Sequence, residues 1–200
     1  MRRRLLLAAA LLLPLFPACA TAGNQVYEPL ADSVRQRLSQ IVSDRAPAKL
    51  HFGSAEEGQR WIDEMDKRLA PRMPDRQQRL ELLRTVHYEA LRARLDPQLV
   101  LGLIEVESRF RKYAVSRAGA RGYMQVMPFW VGQIGQPGHN LFHLRTNLAY
   151  GCAILRHYLD MERGDYFRAL GRYNGTLGKP EYPNLVLAAW KGRWKYDGPT

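Results

Sequence analysis

The 200-residue sequence predicts an all-α fold, or α with minimal β. Apolar residues recur three and four positions apart through most of the chain, and no run of alternating apolar and polar residues persists. Hydrophobic residues make up 46% of the chain and charged residues 24%, a balance typical of a protein with a packed core. The length leaves room for one ordinary domain, or for one domain with an extension.

The first residues have the order of a secretory signal peptide. Three arginines precede an apolar run over residues 5–13, and small residues follow. This run is shorter than the ~20 apolar residues that span a bilayer. We therefore expect residues 1–20 to be a signal peptide, with cleavage near 20–22, and the mature chain to be exported to the periplasm.

Cys19 raises the alternative that the mature N-terminus carries a lipid. Residues 18–20 and 20–22 both fit cleavage between small residues, whereas Cys19 after "LFPA" partly resembles the lipobox of bacterial lipoproteins. Simple cleavage fits better, and an outer-membrane lipid anchor at Cys19 stays open. Either outcome leaves Cys152 as the remaining thiol, so no internal disulfide is expected.

Three helices are predicted before residue 92. The first runs from about 32 to 44. The second follows Ser54 and Glu57, which are spaced as a capping box, and the third follows Asp75. The sequence places these helices in an N-terminal extension, residues 24–90.

A fourth helix is expected from Pro97 to about Arg109, because Asp96 is a good N-cap and proline suits the first helical turn. Glycines and prolines then break the chain into short elements. Helical spacing returns over residues 146–163, with Thr146 or Asn147 as N-cap, and again over residues 165–175.

The fourth helix carries two carboxylates in an apolar setting, Glu105 and Glu107. Residues two apart on a helix point about 200° apart, so they serve different purposes. Glu105 is spaced to pair with Arg109 at the surface. Glu107 shares its side with apolar residues in the last turn, where burial and the helix dipole raise a carboxyl pKa, so it is a candidate general acid. A simple salt bridge from Glu107 to Arg111 is the alternative.

The residues after Glu107 resemble a known signature. "ESRFRKYAVSRAGARGYMQVMPFW", residues 107–130, followed by "GRYNG", residues 171–175, is similar to the motifs of the bacterial lytic transglycosylases with a soluble-lytic-transglycosylase (goose-lysozyme-like) catalytic domain. The matching positions are Glu107, Ser108, Ser116, Gly119, Ala120, Gly122, Met124, Gln125, Met127, Pro128, Tyr173 and Asn174. The departures are Tyr123, Arg172 and residues 111–113, and they bear on subsite preference.

The resemblance implies a lysozyme-like catalytic domain over residues 92–195. Its substrate would be peptidoglycan, in which the bond between N-acetylmuramic acid and N-acetylglucosamine is cleaved without water to leave a 1,6-anhydromuramoyl end. Glu107 would act first as acid and then as base, with the Tyr173 hydroxyl near it.

Further roles follow from the same resemblance. The substrate-binding residues would be Ser108, Ser116, Gln125, Met127 and Asn174. Side-chain hydroxyls near helix ends commonly bond local carbonyls, so Ser108 is also expected to support the end of its helix. Ser116 has the alternative of capping a turn, and Met127 and Tyr173 that of packing in the core.

Two other functions remain open from the sequence: a muramidase that hydrolyses the same bond, and a catalytically silent wall-binding or scaffold protein. Nucleic-acid binding would rest only on the net charge of +11 and conflicts with export. No cofactor is expected, and a metal site at His139 and His143 is rejected because no third ligand has clear spacing. The chain is expected to be a monomer, with residues 24–90 as a candidate surface for a partner in an envelope machine.

Overall fold

The computed structural model describes residues 25–43 and 50–198. Eight helices form in these residues, and the prediction of an all-α fold is confirmed. In chain order they are α1 (Asp32–Ser43), α2 (Ala55–Leu69), α3 (Arg76–Arg92), α4 (Pro97–Ser108), α5 (Phe129–Ile134), α6 (Leu144–Met161), α7 (Tyr166–Asn174) and α8 (Glu181–Lys191). The only extended pairing in the described residues is two isolated bridges, which join Arg121 to Val115 and to Val126.

The predicted helix starts in the first half of the chain are confirmed. Ser54 and Glu57 make both hydrogen bonds of a capping box at the start of α2. The Asp75 carboxylate accepts from the backbone N–H of Gln78, and Asp96 caps α4 in the same way. These caps satisfy backbone donors that the first turn of a helix leaves unpaired.

The prediction of an N-cap at Thr146 or Asn147 was wrong. Helix α6 begins at Leu144, with His143 as an N-cap that makes no side-chain hydrogen bond. Asn147 lies inside the helix and is buried. Helix α8 was not predicted. Pro180 and Pro183 argue against a helix in this part of the sequence, because proline is unfavourable inside helices.

Helix α4 lies at the centre of the molecule, and every residue from Pro97 to Ile104 is buried. It packs most extensively on α8 and also on α3. At Gly102, a Cβ atom would lie 3.0 Å from the backbone nitrogen of Trp190, so the absence of a side chain allows α8 to approach closely. This approach brings the first turn of α8 to the end of α4.

The N-terminal helices belong to the same hydrophobic core as the rest of the described chain. Leu38 from α1 and Trp61 and Met65 from α2 are fully buried in this core. Helix α1 contacts α6, and α2 contacts α3. The division into an extension over residues 24–90 and a catalytic domain over residues 92–195 stays a prediction.

In residues 25–43 and 50–198, no helix is long and apolar enough to cross a membrane. The predicted signal peptide and Cys19 lie outside the described residues.

Candidate active site

Glu107 lies in the last turn of α4 with only 6% of its surface exposed. Its Oε1 atom accepts a hydrogen bond from the hydroxyl of Tyr182 at 2.5 Å. Its Oε2 atom is buried and has no hydrogen-bond partner among the described residues. The prediction that Glu107 faces an apolar interior is confirmed, and one of its two oxygens is held by a hydrogen bond while the other is buried without one.

Burial raises the pKa of Glu107 to about 8, and the hydrogen bond from Tyr182 opposes this shift only in part. Among the described residues no neighbouring charge contributes to the shift. The cause is therefore the removal of the carboxyl from water, which disfavours its charged form. At neutral pH Glu107 is mostly protonated and can donate a proton.

Tyr182 is a residue of the site that the sequence analysis did not identify. It lies in the first turn of α8 and is buried. Burial, together with the neighbouring Glu107, raises the pKa of Tyr182 well above its usual value, so its hydroxyl stays protonated and remains a donor. No local signal could have found this contact, because the two residues are 75 positions apart.

Tyr173 is fully buried on α7, and its hydroxyl donates to the backbone carbonyl of Met124 at 2.7 Å. Burial raises the pKa of Tyr173 well above its usual value, and the charge of nearby Glu107 raises it further. Tyr173 therefore lies within electrostatic reach of Glu107, and its hydroxyl fastens the loop that carries Met124.

The loop over residues 114–126 is held by amide side chains. The Gln125 amide donates to the carbonyls of Ala114 and Gly122 at 3.1 and 2.9 Å. Asn147 accepts from the Met124 N–H at 2.8 Å and donates to two further carbonyls, those of Arg121 and Leu141. These contacts fix the shape of the loop beside Tyr173.

Backbone geometry in the same loop explains one of its glycines. Gly122 has φ +77°, and a Cβ atom there would lie 2.4 Å from the Asn147 side chain. Any other residue at this position would combine backbone strain with a clash. Gln125 also adopts a positive φ of 49°, which its two hydrogen bonds stabilise.

The remaining predicted site residues lie around this loop and the ends of α4 and α7. The Ser108 hydroxyl donates to the carbonyl of Ile104 at 3.2 Å, which confirms its local role at the helix end. Ser116 accepts from the Ala120 N–H at 3.1 Å within a turn. Met127 is partly buried. Asn174 is buried, and its Oδ1 atom has no partner among the described residues.

The predicted surface pair of Glu105 and Arg109 was wrong. Arg109 ends α4 in a left-handed conformation with φ 52°, which turns the chain away from the helix. Glu105 instead accepts from Arg72 at 3.0 Å, from the Trp194 indole at 2.6 Å and from Arg193. It joins α4 to the loop after α2 and to the C-terminal segment.

The alternative of a salt bridge from Glu107 to Arg111 is not what the structure shows. Helix α4 stops at Ser108, and the Arg111 guanidinium donates to the Ser108 carbonyl at 3.0 Å. Glu107 is therefore left without a cationic neighbour in the described residues.

Among residues 25–43 and 50–198, no group of three His, Cys, Asp or Glu side chains is placed to hold a metal ion. His139 contacts the Tyr150 hydroxyl at 2.7 Å, and His143 is exposed. Cys152 is a buried free thiol, as predicted.

Residues 84–182 match the family model described as the Transglycosylase SLT domain. The chain contains a transglycosylase SLT domain. This domain includes the signature loop, Glu107, Tyr173 and, at its last matched position, Tyr182.

Similar proteins carry related names. The chain is 34% identical over 115 residues to a protein named transglycosylase from Enterobacteria phage PRD1, which covers 54% of this chain and 42% of that protein. It is 47% identical over 53 residues to membrane-bound lytic murein transglycosylase C of Actinobacillus pleuropneumoniae, covering 26% and 14% of the two chains. The protein of the same name from Histophilus somni is 36% identical over 104 residues, covering 42% and 28%. The chain thus spans less than half the length of each of these relatives.

Proposed function

We propose that the protein is a peptidoglycan lytic transglycosylase that cleaves the bond between N-acetylmuramic acid and N-acetylglucosamine and leaves a 1,6-anhydromuramoyl end. The observation that carries this proposal is the state of Glu107: a buried, mostly protonated carboxyl with one oxygen held by Tyr182 and the other without a partner among the described residues. The SLT domain and the names of its relatives support the same activity.

The isolation of Glu107 favours a mechanism with a single carboxyl group. Glycosidases ordinarily place two carboxylates on either side of the scissile bond, at about 5–5.5 Å in retaining enzymes and about 6.5–9.5 Å in inverting ones. No second acid contributes to the pKa of Glu107 among the described residues. A route in which the sugar supplies its own 6-hydroxyl as nucleophile needs only one such group.

In the proposed reaction Glu107 acts twice. Its protonated Oε2 gives the proton to the leaving glycosidic oxygen, and the C1–O bond breaks while the 2-acetamido group of the sugar stabilises the developing cation. The resulting carboxylate then takes the proton of the 6-hydroxyl as that oxygen bonds to C1. Tyr182 holds Oε1 throughout and stabilises the carboxylate between the two steps.

The other signature residues have supporting roles in this proposal. Gln125 and Met127 line the cleft beside the loop, and Ser116 orients the acetamido group. Asn174, whose buried Oδ1 lacks a partner among the described residues, holds substrate or the adjoining loop. Tyr173 holds the Met124 backbone carbonyl and so positions the signature loop.

The proposal is tested by digesting purified peptidoglycan with the wild type and with Glu107→Gln. We expect anhydromuropeptides from the wild type and a loss of at least about 100-fold in the variant, in keeping with the loss of a general acid. Glu105→Gln is the matched control, since it changes the same functional group on the same helix but outside the cleft. Equal activity of wild type and Glu107→Gln would contradict the proposal, and products with reducing ends would indicate a muramidase.

We further propose that the protein acts in the periplasm as a monomer. The leader pattern supports export, and the names of the relatives from A. pleuropneumoniae and H. somni describe membrane-bound proteins. A lipid anchor at Cys19 is tested by labelling cells with a radioactive fatty acid: label in the wild type and its absence in Cys19→Ala would establish the anchor, and an unlabelled wild type would exclude it.

A further inference from the structure

The first described residues, 25–30, lie against the domain rather than leading away from it. We call residues 25–30 the strap. The Tyr27 ring packs edge-on against Phe129, with 5.6 Å between ring centroids. The Gln133 amide donates to the Glu28 carbonyl at 3.1 Å, and the Glu28 carboxylate lies 3.9 Å from Arg172. The strap thus contacts both α5 and α7.

Gln25 is the strap residue that enters the protein. Only 5% of its surface is exposed, whereas its neighbours Val26 and Tyr27 are 60% and 59% exposed. Its amide oxygen accepts from the Trp130 indole N–H at 2.9 Å and lies 3.5 Å from the backbone nitrogen of Met127. Its amide nitrogen is buried without a hydrogen-bond partner among the described residues.

The Gln25 side chain contacts the backbone of Met127, one of the residues of the signature. Burial and the charge of Glu107 both raise the pKa of Tyr173, and the adjacent Gln25 side chain opposes them. Tyr173 itself donates to the Met124 carbonyl, three residues before Met127 in the same loop. Gln25 thus occupies a position against Met127 and Trp130, and Met127 is a residue that the proposed function assigns to the glycan cleft.

We propose that the strap is a self-bound occupant of the glycan cleft, with the Gln25 amide in the place of a sugar acetamido group, and that a glycan strand must displace it to bind. This inference rests on the proposed function, because it takes its substrate class from there. It goes beyond that function by assigning an autoinhibitory contact to residues outside the SLT domain.

The chemistry of the two groups supports this competition. An acetamido group and a glutamine side chain both present an amide carbonyl on a short aliphatic stem, so the same two N–H donors can serve either. The glutamine leaves its own N–H₂ group without a partner in the described residues, which makes it an imperfect ligand. A sugar that satisfies the site more fully can therefore displace it.

The remaining strap contacts are few and near the surface, as release requires. The ion pair of Glu28 with Arg172 is long and its carboxylate is 55% exposed, so it contributes little stability. Arg172 is one of the positions where the sequence departs from the signature. It also binds Glu162, so its side chain is held in place beside the strap.

The test measures glycan binding in a background that cannot turn over. A hexamer of N-acetylglucosamine is titrated into Glu107→Gln and into Glu107→Gln combined with Gln25→Ala, by calorimetry. If the strap occupies the cleft in about nine of ten ligand-free molecules, the apparent affinity for the glycan is about tenfold weaker than that of the open cleft. The double variant should therefore bind the glycan about tenfold more tightly than Glu107→Gln alone. Glu107→Gln with Gln77→Ala, which removes an exposed glutamine on α3, is the control and should bind as the single variant does.

Equal or weaker binding after Gln25→Ala, or no binding by either protein, overturns the strap proposal. A second measurement covers the case in which Gln25→Ala disturbs folding. With Glu107 intact, Arg172→Ala should lower KM without lowering kcat, whereas a merely structural role of the strap predicts a lower kcat or unchanged kinetics. Failure of the proposed function is seen separately, as the absence of anhydromuropeptides from the wild type.

Discussion

The hydroxyl of Tyr182, in the first turn of α8, donates a hydrogen bond to Oε1 of Glu107, in the last turn of α4, across 2.5 Å. This contact joins two buried residues on helices whose close approach, further along, Gly102 allows at Val186 and Trp190. It fixes the orientation of a carboxyl whose pKa burial raises to about 8.

Substitution of Tyr182 by Phe is expected to move the alkaline limb of the pH profile to higher pH. The tyrosine hydrogen bond favours the charged form of Glu107, so its loss raises the pKa of Glu107 further above about 8. The plateau of kcat/KM should fall by roughly tenfold or more, because the carboxyl loses its fixed orientation.

The measurement is kcat/KM across pH, which reports ionisation in the free enzyme. Tyr166→Phe, which deletes a hydroxyl on the neighbouring α7, is the control and should leave the limb in place. A limb that stays unchanged, or moves to lower pH, in Tyr182→Phe would contradict the role assigned to the contact.

Substitution of Glu107 by Gln is expected to stabilise the protein at alkaline pH. The pKa of Glu107 rises from 4.5 to about 8 on folding, so in this window the folded state binds more protons than the unfolded state, and the wild type loses stability as pH rises. The amide cannot ionise and avoids this loss, which at about 1.4 kcal/mol per pKa unit is at most about 5 kcal/mol.

Urea unfolding at about pH 5 and about pH 9 checks this difference. The free energy of unfolding of the variant, relative to that of the wild type, should be greater at the alkaline pH than at the acidic one. A constant difference would show that Glu107 is ionised in the folded protein throughout and would remove the basis for its role as an acid.

Substitution of Asn147 by Leu is expected to loosen the signature loop and to destabilise the protein. Three hydrogen bonds, to Met124, Arg121 and Leu141, would be lost, and their buried backbone groups would be left unpaired. The free energy of unfolding should fall by about 2–4 kcal/mol, because each buried unpaired group costs about 1–3 kcal/mol and the loop can relax in part.

Thermal unfolding and activity should be measured together for Asn147→Leu, with the exposed neighbour Asn140→Ala as control. Faster hydrogen exchange over residues 114–126 in the Leu variant would locate the effect in the loop. If Asn147→Leu keeps the stability and the hydrogen exchange of the wild type, the amide network does not hold the loop.

Substitution of Gly102 by Val is expected to lower activity by more than the accompanying loss of stability explains. A Cβ atom at this position already lies 3.0 Å from the Trp190 backbone and 3.3 Å from the Val186 carbonyl, so a branched side chain must push α8 away from α4. Tyr182 would move with α8. Activity measured well below the melting temperature should fall several-fold, and full activity of the folded variant would show that the helix spacing does not position Tyr182.

The sequence predicted those parts of the structure that depend on local interactions. The caps at Ser54, Asp75 and Asp96, and the inward orientation of Glu107, follow from helical geometry within a few residues. The wrong or missing predictions involve distant partners. Asn147 is of a residue type that favours N-caps, but its side chain bonds a loop more than twenty positions earlier. Glu105 bonds Arg72 and Trp194, which lie far from it in the chain, rather than a residue on its own helix.

Within the candidate site, the contact of Tyr182 was also beyond what the sequence could predict. The signature residues after Glu107 could be read from the sequence because they follow one another at fixed spacing. Tyr182 is brought to Glu107 only by the packing of α8 on α4, and Gln25 reaches Trp130 only because the strap folds back over α5. Contacts of this kind depend on tertiary structure, which local patterns do not encode.

The central claim is that Glu107 catalyses cleavage in which a sugar hydroxyl, rather than water, attacks the anomeric carbon. Its most direct test is digestion of peptidoglycan by the wild type in water enriched in heavy oxygen, followed by mass spectrometry of the released muropeptides. We predict 1,6-anhydromuramoyl ends that carry no heavy oxygen, and no release of such products by Glu107→Gln. Reducing ends that have gained heavy oxygen would contradict the claim.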